Sequence, residues 1–142
     1  MVSAMPIRPA EPRDAEAVAA LLGELGHPAT REVVLERLAA LGGRDPVFVL
    51  DEEGTVRGLV AMHVGPQLHR VRPVARITAL VVTEAARGRD RGLLLVQHAI
   101  GVARDRGCEL IELTSRLHSE SAHGFYDAAG FTRTAHRFSR DL

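Results

Sequence analysis

The chain has 142 residues, of which 46% are hydrophobic and 25% charged, so its size and composition are those of one globular domain and not of a disordered segment. Its 18 basic and 18 acidic residues balance, which leaves no overall field to attract nucleic acid or an anionic membrane. With one cysteine, no signal-peptide pattern and no apolar run near about 20 residues, we expect a cytoplasmic protein in which residues 1–142 form one domain.

The N-terminal part of the chain predicts a short strand followed by two helices. The strand is expected over Met5 to Arg8. A helical spacing of leucines and valines begins at Asp14 and stops at Gly26. Thr30 is an N-cap residue type in front of a second helical pattern that ends at Gly42.

The middle of the chain predicts three strands. Val47 to Leu50 and Val56 to Val64 are separated by the turn residues 51–54, which is the pattern of a hairpin. The segment 65–73 is polar and predicts a connection. Val74 to Val82 is almost continuously apolar, as expected for a central strand covered on both faces.

The C-terminal part alternates between helix and strand. A helix that ends at Gly107 is followed by a strand over Leu110 to Thr114. A second helix ends at Gly130, and a closing strand is expected over Phe131 to Ser139. The whole order predicts the α/β class, with helices packed against a mixed sheet.

A basic turn with two glycines separates the central strand from the following helix. Its residues are Arg87, Gly88, Arg89, Asp90, Arg91 and Gly92. The start of a helix leaves backbone N–H groups without partners and carries positive potential, so it binds phosphate where the backbone can come close. The turn therefore predicts a pyrophosphate site, while the alternative is that the glycines only shape a loop with a basic surface.

Two segments resemble the signature of the GNAT acetyltransferases. Leu80-Val81-Val82, followed by Arg87 to Leu93, is similar to the family's Arg/Gln-x-x-Gly-x-Gly/Ala segment after a central strand. Ser119 to Phe131 is similar to its Asn-x-x-Ala-x-x-Phe-Tyr-x-x-x-Gly-Phe segment. A looser resemblance, which includes His63, His69 and the C-terminal residues, is to the aminoalkylphosphonate N-acetyltransferases within the family.

The resemblance implies a fold and a reaction. The fold is a mostly antiparallel central sheet with a splayed parallel pair, flanked by about four helices. The reaction is direct transfer of acetyl from acetyl-CoA to the amine of a small molecule in a ternary complex. Pantetheine would pair with Leu80, Val81 and Val82, the pyrophosphate would bind Arg87 to Leu93, and Tyr126 would protonate the leaving thiolate. A homodimer and a response to divalent metal ions are further properties that the resemblance implies as options.

Two positions depart from the family pattern. Asp90 stands where the pattern has a glycine, so its carboxylate either repels the pyrophosphate or caps the helix. Ser119 replaces the usual asparagine and has a shorter reach toward the cofactor. These departures favour one alternative to the small-molecule enzyme, a CoA-binding regulatory module with weak catalysis. A further alternative is an enzyme that acetylates a protein amine.

The general base has several candidates. His63 and Glu112 are the first two, because His63 ends a strand where such folds admit the acceptor and Glu112 lies on a strand facing the same centre. The others are His69, Thr78, His118, His123 and a chain of water molecules. The histidines lack the spacing of a known metal site. Arg70, Arg72 and Arg76 would favour an acceptor with an anionic group or else form a solvated basic face.

Overall fold

A computed structural model of the chain describes residues 6–88, 90–115 and 120–142, apart from the side chains of 120 and 121. Its contacts divide the chain into a first unit that ends at Glu112 and a second unit over Leu113–Leu142. The first unit contains five strands, namely β1 (Ile7–Pro9), β2 (Val47–Glu52), β3 (Thr55–Gly65), β4 (Val74–Val82) and β5 (Leu110–Glu112). Its helices are α1 (Ala15–Glu24), α2 (Arg31–Leu41) and α3 (Arg91–Asp105), and the second unit has α4 (Glu120–Ala128).

The strands form one sheet in the order β1-β2-β3-β4-β5. The first four strands are antiparallel to their neighbours, and β4 and β5 form a parallel pair. This is the mixed sheet with one parallel pair that the sequence and its resemblance predicted, and that part of the prediction is confirmed.

Helices cover both faces of the sheet. On one face, α1 and α2 pack on Val49, Leu59 and Val81 through Ala15, Val18, Leu21 and Val34. Because side chains alternate along a strand, the neighbouring positions face α3. Gly58 on that face lies against Leu95, and the ring of Phe48 contacts His98 edge-on with centroids 4.5 Å apart.

The observed helix boundaries show which local signals were read correctly. Thr30 caps α2, since its Oγ1 accepts a hydrogen bond from the N–H of Val33 at 3.2 Å. Asp14 stands directly before α1 as expected, but its side chain makes no cap. Instead its buried carboxylate accepts hydrogen bonds from Arg8 at 2.7 and 2.9 Å, which hold the pKa of Asp14 below its usual value.

Three strand predictions need correction. The first strand begins at Ile7, and Met5 lies outside the described residues. The strand after α3 ends at Glu112, two residues before the predicted end at Thr114. The closing strand predicted over Phe131 to Ser139 is wrong, because these residues have no regular structure. A strand is stable only in a ladder with a neighbour, and the described part of the second unit contains no strand.

Candidate active site

One edge of β4 is open where the sheet splays. Along its whole length β4 pairs with β3, whereas β5 pairs only with Val74, Ala75 and Arg76. Within the described part of the chain, β4 from Ile77 to Val82 therefore has a neighbouring strand on one side only. Its outward backbone N–H and C=O groups can hydrogen-bond an extended ligand, as an added strand would.

A bulge in β4 lies at the start of this open edge. Ala61 of β3 pairs with Ala79, but the next residue, Met62, pairs with Ile77, so Thr78 is the extra residue of β4. An extra residue bends its strand and increases the local twist. The bulge comes two residues after Arg76, where the pairing with β5 ends, and so it accompanies the separation of the two strands.

The predicted phosphate turn follows β4 directly. A short 3-10 turn over Glu84–Ala86 leads to Arg87, whose Nε donates a hydrogen bond to the carbonyl of Val82 at 3.0 Å. Gly88 has φ of 87° and Asp90 has φ of 58°, which is the left-handed region. α3 then begins at Arg91, and the N–H groups of its first turn have no acceptor within the helix.

Asp90 occupies the N-cap position of α3, but its side chain makes no capping hydrogen bond. Of the two roles weighed for this carboxylate, the cap is therefore absent from the structure. The left-handed backbone at Asp90 explains why a glycine suits this position, since residues with a Cβ seldom adopt it. Arg89, the neighbour of Asp90, lies outside the described residues.

Glu24, the last residue of α1, holds the phosphate turn in place. Its carboxylate accepts hydrogen bonds from Thr83 Oγ1 at 2.8 Å and from the Glu84 N–H at 3.0 Å. The hydrogen bond from Thr83, with that from Glu84, lowers the pKa of Glu24. Arg87 Nη2 approaches the same carboxylate at 3.8 Å. No local sequence pattern indicates this role, because the partners are about sixty residues apart.

The side chain of Arg91 is buried and makes contacts within the fold. Its side chain is 8% exposed and pairs with both carboxylate oxygens of Glu52, while Nη1 donates to the carbonyl of Ala86 at 2.8 Å. Its guanidinium charge is thus neutralised by the protein itself. Only the backbone N–H of Arg91, at the start of the helix, is available to a phosphate.

Tyr126 lies on α4 in the second unit. Its ring contacts the rings of Phe125 and Phe131 edge-on, with centroids 5.2 and 6.0 Å apart. Burial raises the pKa of the Tyr126 hydroxyl, so the phenol keeps its proton at neutral pH. Ser119 and His118 lie outside the described residues, as does any contact they make.

The two first candidates for the base, His63 and Glu112, lie in one row across three strands. His63 of β3 pairs in register with Arg76 of β4, and Arg76 pairs with Glu112 of β5. Arg76 Nη1 is 3.3 Å from Glu112 Oε1, and Nδ1 of His63 is hydrogen-bonded to the Asp45 carboxylate. Both candidates are therefore already paired, and Asp45 is a member of the row that the sequence did not predict.

Two of the other candidates lie outside this row. Thr78 is exposed at the bulge, and His69 lies in the connection between β3 and β4. In the described ranges no three His, Cys, Asp or Glu side chains come together as metal ligands. Nor does the described part of the chain include a helix with the length and apolarity to cross a membrane.

Comparison with known proteins decides the family. The sequence profile of the acetyltransferase (GNAT) family matches residues 15–131, which include β2 to β5, the phosphate turn and Tyr126. The chain belongs to the GNAT acetyltransferase family. Members of this family use acetyl-CoA as co-substrate.

Among the relatives of this GNAT protein are two named enzymes. Over 89 residues it is 34% identical to the aminoalkylphosphonate N-acetyltransferase of Salmonella typhimurium, a match that spans 63% of the chain and 58% of that enzyme. It is also 35% identical over 136 residues to glucosamine 6-phosphate N-acetyltransferase 1 of Oryza sativa subsp. japonica, covering 88% of the chain and 79% of the relative.

A solved structure supports the fold of this GNAT protein along its length. A protein of Agrobacterium tumefaciens strain C58, described as a candidate acetyltransferase, superposes with a TM-score of 0.89 at 29% identity. The superposition covers 96% of this chain and 99% of the other.

Proposed function

We propose that this protein transfers the acetyl group of acetyl-CoA directly to the amine of a small molecule that also carries a phosphate or phosphonate group. The observation that carries the proposal is the open edge of β4 beside the glycine-bearing turn that starts α3. An unpaired strand edge followed by unpaired helix N–H groups suits an extended ligand that ends in a pyrophosphate.

Each part of the co-substrate has a proposed place. Pantetheine pairs with the open edge over Leu80, Val81 and Val82. The pyrophosphate binds the turn, where Gly88 allows a close approach and Gly92 and Leu93 offer backbone N–H groups. Arg87 adds charge from its exposed side chain, which is 56% accessible. Arg89 and Ser119 belong to this proposed site on the family pattern alone.

The chemistry needs three groups. The amine nitrogen attacks the thioester carbonyl carbon, the C–S bond breaks, and the departing thiolate takes a proton. We assign the acid role to Tyr126, because burial raises its pKa and keeps its proton available. A backbone N–H of β4 near the bulge polarises the carbonyl oxygen. We assign the removal of the ammonium proton to water, since Glu112 is engaged by Arg76. Nε2 of His63, whose Nδ1 is bonded to Asp45, is the alternative base.

Two relatives support the acceptor class. By their names, one acts on aminoalkylphosphonates and the other on glucosamine 6-phosphate, and both kinds of molecule combine an amine with a phosphorus-containing anion. The chain shares about a third of its residues with each over the matched range. We base the proposed acceptor class on this shared chemistry and not on either molecule in particular.

The test is release of thiol from acetyl-CoA with a panel of amines, combined with calorimetric titration of CoA. The panel pairs 2-aminoethylphosphonate with ethanolamine, glucosamine 6-phosphate with glucosamine, and adds a lysine peptide. We expect turnover that favours the phosphorus-bearing member of each pair. Preference for the peptide would support acetylation of a protein amine. CoA binding without turnover on any amine would support the regulatory module, and absence of CoA binding would exclude both readings.

A further inference from the structure

A small open space on the sheet lies between two basic side chains. It is the space over Gly65, the last residue of β3. A methyl group built on Gly65 would be 3.5 Å from Arg44 Nη2 and 3.5 Å from His63 Nε2. Two nitrogen-bearing groups therefore converge on a position that glycine leaves empty.

Both side chains are held in this orientation by other groups. Arg44 Nε donates a hydrogen bond to the carbonyl of Val64 at 3.3 Å, which orients the guanidinium so that Nη2 lies next to the space. Within the described part of the chain Arg44 has no carboxylate within salt-bridge distance, unlike Arg76 or Arg91. A carboxylate only accepts hydrogen bonds, so the contact with Asp45 puts a proton on Nδ1 of His63 and leaves Nε2 to face the space.

The space lies on the acceptor side of the proposed reaction centre. His63 is on the same face of β3 as Leu59 and Ala61, the face that carries α1 and α2, but further along the strand. It pairs in register with Arg76, which is two residues before the bulge at Thr78. From the bulge, His63 is two residues along the strand and Gly65 about four, which corresponds to about 7 to 13 Å. The amine and the phosphate of an aminosugar phosphate can span the shorter part of this range, whereas those of a two-carbon aminophosphonate cannot.

We propose that the space over Gly65 is the subsite for the anionic group of the acceptor, with Arg44 and Nε2–H of His63 as its hydrogen-bond donors. Arg76, directly across from His63, adds a second positive charge, which Glu112 partly balances. This inference rests on the proposed function, because it assigns residues to the acceptor of that reaction. It gives His63 a binding role in place of the catalytic one considered from the sequence.

The charged groups that face Nε2 of His63 are Asp45, Arg44 and Arg76, with Glu112 beyond Arg76. With Nδ1 donating to Asp45, Nε2 can donate to a bound anion only in the imidazolium form.

Gly65→Ala is the sharpest variant. Its methyl group meets Arg44 and His63 at ordinary van der Waals distance and Gly65 has no positive φ, so the fold accepts alanine while the subsite is filled. We expect KM for glucosamine 6-phosphate to rise about tenfold or more, with KM for glucosamine and kcat nearly unchanged. The matched control is Gly43→Ala, where an added methyl group meets nothing within 4 Å. Equal effects on both amines would overturn the subsite.

Kinetics of two further variants and one binding titration test the subsite separately from the reaction. Arg44→Gln should reproduce the selective rise in KM, and so should His63→Gln, with kcat nearly unchanged in both variants. A fall in kcat with every amine in His63→Gln would make His63 the base and overturn its binding role.

Titration of methylphosphonate, followed by phosphorus NMR, tests binding at the subsite without turnover. Weaker binding to Gly65→Ala than to Gly43→Ala supports the subsite even if no amine is acetylated, and equal or absent binding overturns it.

Discussion

Arg91 and Glu52 join the first residue of α3 to the last residue of β2. Nη2 of Arg91 is 2.9 Å from Oε2 of Glu52, Nε pairs with the other oxygen, and Nη1 donates to the Ala86 carbonyl. A cation in the first turn of a helix is unfavourable for the helix dipole, and Glu52 compensates it. One guanidinium thus fixes the sheet, the 3-10 turn and the helix that bound the proposed pyrophosphate site.

The first prediction concerns this pair. In Glu52→Gln the side-chain shape is kept, but the poorly exposed Arg91 loses its counter-charge, and the hydrogen bond with Glu52 no longer raises its pKa. We expect a lower Tm and a weaker Kd for CoA, because the turn loses an anchor. Thermal unfolding and calorimetry measure the two effects. Glu36→Gln, on the exposed surface of α2, is the control and should change neither. An unchanged Tm in Glu52→Gln would contradict the role given to the pair.

The second prediction separates the charge of Asp90 from its backbone conformation. Asp90→Gly removes the carboxylate and suits the left-handed φ of 58°. Asp90→Asn removes only the charge, since asparagine tolerates this conformation. If the carboxylate repels the pyrophosphate, both variants should bind CoA roughly three- to tenfold more tightly, and high salt should reduce the difference. Tighter binding in Asp90→Gly alone would instead identify the backbone as the cause.

The central part of the fold was predictable because its signals are local. The bounds of β4 agree with the sequence, since a continuous run of apolar and β-branched residues marks a strand covered on both faces. The Thr30 cap agrees as well, because an N-cap acts within one turn. Glycines past the end of α2 and α3 marked those helix ends for the same reason.

The site's supporting contacts could not be predicted, because they join distant parts of the chain. Glu24 and Thr83 are 59 positions apart, and Glu52 and Arg91 are 39 apart. No local pattern distinguishes these carboxylates from exposed ones. The closing strand was wrong for a related reason, since a strand-like segment over residues 131–139 does not supply a neighbouring strand. The residues expected to meet ligands stay predictions, and the sequence held no local signal for the residues that support the turn.

The third prediction tests Tyr126 as the acid. Tyr126→Phe keeps the edge-on contacts with Phe125 and Phe131 and removes the hydroxyl. We expect kcat to fall by about 100-fold, with the Kd for CoA changed by less than about threefold. The measurements are steady-state kinetics and calorimetry at pH 7. Parallel losses in binding and turnover would point to a structural role, and unchanged kcat would remove Tyr126 from the mechanism.

The fourth prediction compares two glycines, Gly58 at the contact between β3 and α3 and Gly101 within α3. A Cβ on Gly58 would lie 2.9 Å from the Val81 carbonyl oxygen and 3.1 Å from Leu95 Cδ1, so Gly58→Ala should destabilise the fold by about 1–3 kcal/mol. A Cβ on Gly101, within α3, meets nothing within 4 Å. Gly101→Ala should therefore stabilise by up to about 1 kcal/mol through helix propensity. Urea denaturation measures both, and a neutral Gly58→Ala would show that the sheet and α3 can separate there at no cost.

The last prediction is a dependence of stability on pH that comes from His98. Its Nε2 is enclosed and has no hydrogen-bond partner among the described residues, and burial lowers its pKa below the ordinary 6.5. His98 therefore takes up a proton near pH 6.5 in the unfolded chain and only at lower pH in the folded chain. Below pH 6.5 the unfolded state binds more protons than the folded state, so the free energy of unfolding falls as the pH falls. Above pH 6.5 His98 is neutral in both states and no longer changes the free energy of unfolding with pH.

His98→Phe keeps an aromatic ring against Phe48 and removes the titration. We expect urea denaturation between pH 5.5 and 8 to show a flatter stability profile for this variant than for the parent protein. The control is His27→Asn, which replaces a histidine at an exposed position just after α1. A parent profile that is already flat below pH 6.5, or one that His98→Phe does not alter, would show that the enclosed nitrogen accepts its proton without loss of the fold.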